Sequence, residues 1–120
     1  MKRSQWLIFA GIMALIMIFS SCEKVIFPES EIILPDTISY SLQIQPIWDA
    51  KCINCHGGQR NPDLRPPVSY NSLINRNYVD TSDAAGSKLI QKLYGSHNSR
   101  ASETEKQLIL EWINEGARDN

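Results

Sequence analysis

Residues 45–58 read QPIWDAKCINCHGG. Pro46 suits the first turn of a helix, where its missing N–H has no partner to lose. Ile47, Trp48 and Lys51 to Cys55 continue that helix, and Gly57-Gly58 ends it. Within it, Cys52-Ile53-Asn54-Cys55-His56 is C-x-x-C-H. Two thiols three residues apart lie on one side of a helical turn, and an imidazole follows directly. This is the pattern of covalent c-type haem attachment, with both sulfurs on one porphyrin and the histidine on its iron. Three other uses of the pair stay open. A redox disulfide Cys52–Cys55 belongs in a thioredoxin-like βαβ setting, which this chain lacks. A zinc site needs a second ligand pair, and beyond Cys22 only His97 is left among Cys and His. A purely structural disulfide is the third.

Upstream, residues 1–22 read MKRSQWLIFAGIMALIMIFSSC. A positive start at Lys2 and Arg3, an apolar run from Trp6 to Phe19, and small residues before Cys22 form a secretory signal. The run is shorter than the ~20 apolar residues that span a bilayer, so an uncleaved anchor helix is the lesser reading. Phe19-Ser20-Ser21-Cys22 resembles a bacterial lipobox, with Phe where Leu is usual. The resemblance implies cleavage before Cys22 and lipid on its thiol and amino group, which also gives the odd cysteine a fate. Residues 1–21 are therefore a signal, 22–38 a Pro-containing tether, and 39–120 the functional domain. An exported protein, lipid-anchored to a bacterial membrane and facing the periplasm or cell surface, follows.

The chain has 120 residues, 12 basic and 13 acidic side chains, and a net charge of −1. Loss of Lys2 and Arg3 with the signal leaves 10 basic residues and a charge of −3. No basic stretch beyond those two could track a nucleic-acid backbone, so nucleic acid is excluded as a partner. A domain this small is marginally stable without a covalent or metal staple.

Downstream, residues 59–68 (QRNPDLRPPV) contain three prolines and must be loop. A short helix is expected over 69–76, with Tyr70, Leu73 and Ile74 on one side. Ser87 caps a second over 88–94, stopped by Gly95. Ser102 and Glu105 form a capping box for the last helix, where Leu108, Ile109, Trp112 and Ile113 make one apolar stripe, ending at Gly116. Almost no strand is expected, and the fold class is all-α. Loops this long in so small a domain need something to wrap around.

IQPIWDAKCINCHGG (44–58), SYNSLI (69–74), GSKLIQKLYG (86–95) and ETEKQLILEWINEGA (103–117) resemble the monohaem cytochrome c-like domains called planctomycete-type. The resemblance implies a small cytochrome c-like fold of short helices around one covalent haem c. It implies thioether bonds at Cys52 and Cys55 and His56 as proximal iron ligand. Such domains usually place a Met in the loop before the last helix, and here the chain departs. The only methionines are Met1, Met13 and Met17, all in the signal.

That loop holds His97 instead. His97 binds the iron, or the iron is five-coordinate or water-bound, or a Lys, Tyr or amino group takes the place. Without Met the haem potential lies lower. Trp48, Tyr70, Leu89, Leu93, Trp112 and Ile113 either pack on the porphyrin or form ordinary core. Arg60 and Arg65 either pair with its propionates or are solvated loop charges. The Pro62 carbonyl is a candidate acceptor for the His56 Nδ1–H. The leading expectation is an electron carrier, not an enzyme, that exchanges single electrons with redox partner proteins and meets the membrane through its lipid. A haem peroxidase or small-ligand sensor with an open iron position, and a haem-free structural lipoprotein, are the alternatives.

Overall fold

The computed structural model describes residues 35–120. The expected signal, Cys22 and most of the tether lie outside the described residues. Within them the chain is helical, with no strand, as the all-α expectation holds. A π-helical turn, Tyr40–Ile44, leads into α1 (Gln45–Lys51). Four further helices follow: α2 (Ile53–His56), α3 (Ser69–Asn75), α4 (Lys88–Tyr94) and α5 (Glu103–Asn114). No helix among these residues is long and apolar enough to cross a membrane.

Two departures from the expected helices stand at the start. The expected helix opening at Pro46 is preceded by the π turn, in which Gln45 N–H reaches back to Tyr40 O. A proline ring in an α-helix collides with the carbonyl four residues earlier, here Leu42, and a wider turn relieves that collision. The single helix expected through Cys55 is broken at Cys52, whose φ of −120° and ψ of −32° leave helical geometry. The Cys52 carbonyl then accepts from both Cys55 N (3.1 Å) and His56 N (2.9 Å), which starts a fresh turn.

The core forms where helical spacing puts apolar side chains on one face. Ile44 at the end of the π turn is buried with Ile47 and Trp48 of α1, Leu89, Ile90 and Leu93 of α4, and Ile109, Trp112 and Ile113 of α5. Ile38, the last residue of the expected tether, is packed in the same core, and its N–H donates to Glu115 (3.0 Å). Each such large aliphatic side chain contributes about 1.5–3 kcal/mol by leaving water. Tyr40 lies on Trp112 with ring centres 5.2 Å apart, and Tyr70 meets Tyr40 edge-on at 5.3 Å.

The helix ends mostly follow their signals. Ser102 and Glu105 make the reciprocal capping box, with Ser102 N–H donating to Glu105 Oε2 at 2.7 Å. Ser87 occupies the first position of α4 but does not cap it. Its buried hydroxyl instead accepts from Asp80 N (2.9 Å) and donates to Asp80 O (3.2 Å), closing the 80–87 loop. Gly116 ends α5 with φ +98°, a left-handed conformation that favours glycine.

Candidate haem site

The break at Cys52 and the loop after His56 together fix the histidine. The 59–68 loop folds back so that Leu64 N–H donates to His56 O (2.8 Å) and the buried Leu64 side chain seats in the core. Gln45 Nε2 donates to Leu64 O (3.0 Å), and Gln45 Oε1 accepts from the buried Ser69 hydroxyl. Ser69 in turn accepts from Tyr40 OH at 2.7 Å. A buried polar chain thus runs from the aromatic core to the loop that faces His56.

Pro62 O lies 2.9 Å from His56 Nδ1. A carbonyl can only accept, so this contact requires a proton on Nδ1 and leaves the Nε2 lone pair free. A backbone acceptor on the far nitrogen is the usual way a metal-binding imidazole is oriented and made more basic.

Cys52, Cys55, His56 and His97 line one cleft of about 140 Å³. Ile47, Trp48, Leu93 and Ala101 supply its apolar wall. His97 Nδ1 is 3.0 Å from the Ser96 hydroxyl, so its free nitrogen is also Nε2. The two imidazole rings are 6.3 Å apart, centre to centre. Two metal–imidazole bonds of about 2 Å, in line with two ring radii of roughly 1 Å, span about the same distance. The cleft itself holds only a few water volumes of about 30 Å³ each. Cys55 and His97 are solvent-exposed at its mouth, so a flat group admitted there would keep an edge in water.

The rim is positive. Lys51, Arg60 and Arg100 line the cleft and no carboxylate does. Lys51 pairs with Glu105 at 2.5 Å, while among the described residues Arg60 and Arg100 make no ion pair. Burial raises the Glu105 carboxyl pKa, but the hydrogen bonds from Lys51 and Ser102 outweigh it and hold the group below the usual carboxylate range. Cys52 and Cys55 are free thiols. Burial, then the Glu105 charge, pushes the Cys52 thiol above its ordinary value. Among the described residues no three His, Cys, Asp or Glu side chains converge to hold a bare metal ion. Two thiols, two imidazoles and two cations without an ion pair among the described residues thus share one cleft.

Two expected site residues are elsewhere. Arg65 is turned onto Asp63, with Nη2 2.7 Å and Nε 3.0 Å from its carboxylate, because that acid is two residues away and needs no folding to be reached. Tyr70 belongs to the aromatic core, its hydroxyl donating to Ala117 O at 2.9 Å. Leu89, Trp112 and Ile113 are core as well, whereas Trp48 and Leu93 are cleft wall. The buried Trp48 indole N–H has no hydrogen-bond partner among the described residues. Arg100 and Lys51 escaped notice in the sequence because nothing local distinguishes them from other loop and helix charges.

No family model matches the chain, and no solved structure matches it. The chain is similar to hydrazine synthase subunit alpha of Kuenenia stuttgartiensis, with 28% identity over a match that covers 68% of this chain. The match covers 15% of that subunit.

Proposed function

We infer that the mature chain is a membrane-anchored carrier of single electrons that holds one covalent haem c. One observation supports this above the rest: the C-x-x-C-H thiols and both histidines line one cleft, with each Nδ1 engaged and the rings 6.3 Å apart. Cys52 and Cys55 would form the thioethers, His56 Nε2 would be the proximal ligand, and His97 Nε2 the distal one. A bound haem supplies the one-electron Fe(III)/Fe(II) couple. The chain's own residues do the rest. Pro62 O orients His56. Ile47, Trp48 and Leu93 exclude water from the inner side. Arg60 and Arg100 balance carboxylates at the mouth. With no methionine between residues 22 and 120, Met/His ligation is not available, and the potential would lie below that of Met/His sites.

Export on the 1–21 signal and a lipid at Cys22 would hold the domain near a bacterial membrane, where redox partner proteins reach the exposed edge. The likeness to a small part of a synthase subunit suits a module that also works inside larger assemblies. That subunit's activity is not extended to this chain.

The exposure of His97 favours one second reading, a haem that exchanges this ligand for small molecules and so serves as a sensor or peroxidase. One preparation tests both. Expressed with haem c maturation machinery, the protein should keep haem through a denaturing gel. Cys52→Ala/Cys55→Ala should be colourless. The ferric spectrum should be low-spin, and His97→Ala should turn it high-spin and cyanide-reactive. A wild-type protein already high-spin would favour the second reading, and a colourless one would end both.

A further inference from the structure

Lys106 stands on the inner face of α5, in register with Ile109 and Ile113, where an apolar residue belongs. It is 1% exposed, the one buried Lys or Arg among the described residues. Placing an ammonium there is costly unless every proton has a partner. Three partners surround it. Glu103 Oε1, in the first turn of the same helix, is 2.7 Å away. Asn98 Oδ1 accepts a short hydrogen bond. The Tyr94 ring, at the end of α4, lies 5.0 Å from the charge.

Tyr94 and Asn98 flank the turn that carries His97. The backbone hydrogen bonds of that turn are Gly95 N–H to Gln91 O, His97 N–H to Lys92 O, Asn98 N–H to Gly95 O and Arg100 N–H to His97 O. All four lie within α4 and the turn itself. Among the described residues, only the side-chain hydrogen bond from Lys106 joins the turn to α5.

We propose that Lys106 is a positioning residue that clamps the 95–101 turn, and through Asn98 holds His97 over the cleft. This rests on the reading of His97 as distal ligand. Glu103 is largely exposed, so it loses little when the lysine charge is removed. A neutral side chain with the same stem fills the site, and such replacements of buried ions by apolar groups are often tolerated. Fold and ligand positioning are therefore separable.

The test uses purified holoprotein carrying Lys106→Met, Asn98→Ala or Asn98→Asp, compared with wild type. Helix content and haem attachment should be retained in all three. In Lys106→Met and Asn98→Ala, amide hydrogen exchange over 95–101 should speed up by about tenfold or more, the scale of a lost hydrogen bond to a charged group. Cyanide association should rise by a similar factor. Asn98→Asp keeps an oxygen opposite the ammonium and should stay near wild type in both. Unchanged exchange over 95–101 in Lys106→Met and Asn98→Ala overturns the clamp. So does unchanged cyanide association in a protein whose wild-type haem is low-spin. A wild-type haem that is high-spin removes His97 as ligand instead, and the exchange rates still decide whether Lys106 holds the turn.

Discussion

Tyr40 buries its hydroxyl beside Ser69, and loss of solvent pushes its pKa up to about 12 from 10.0. A group whose folded pKa is raised favours the native state fully below its unfolded pKa and loses that contribution as pH climbs through the folded value. The protein should therefore lose stability between about pH 10 and pH 12. Tyr40→Phe should cost about 1–2 kcal/mol at neutral pH, since it strands a buried hydroxyl partner. The deficit should shrink in alkali. Urea titrations of both proteins at neutral and alkaline pH check the sign, and a gap that widens in alkali contradicts it. At this scale the sequence was most legible where chemistry dictates spacing. Cys52, Cys55 and His56 share a cleft lining because one short motif carries all three, and the Pro62 acceptor was reachable because an imidazole beside a folded-back loop finds a backbone carbonyl. Arg65 was not, because Asp63 competes for it locally. The Tyr40–Ser69–Gln45 relay was not, because its members are 24 and 29 residues apart.

The capping box on α5 closes a helix that carries Ile109, Trp112 and Ile113 into the core. Ser102→Ala removes the acceptor for Glu105 N–H and a donor to the Glu105 carboxylate. A loss of about 1 kcal/mol is expected. For a domain of this size that lowers the melting midpoint by roughly 4–8 °C. A calorimetric scan showing no change would mean the first turn is held by the Lys51–Glu105 pair instead. Helix starts and stops such as this one are written in a few adjacent residues, and α3, α4 and α5 fall where their sequences put them. The π turn before Pro46 has a local cause in the proline ring, but the break at Cys52 has no such signature. That break depends on how the flanking segments pack, as does the diversion of Ser87 from its helix end to the 80–87 loop.

Among the described residues, one hydrophobic core and the cleft share a wall. Trp48 belongs to both: its ring walls the cleft and it is 1% exposed. Trp112, also 1% exposed, lies in the aromatic cluster with Tyr40 and Tyr70. Cutting either to Ala should cost about 3–5 kcal/mol, enough to unfold much of a domain whose total stability is about 5–15 kcal/mol. Their joint placement has a practical consequence. On the proposed removal of residues 1–21, Trp6 would leave and these two indoles would be the only tryptophans that remain. A porphyrin beside one and a short span from the other would drain both excited states by resonance energy transfer. Chain that has escaped maturation should glow at ordinary indole wavelengths and loaded chain should be dark, so ultraviolet emission during purification would sort the two populations before any stain is applied.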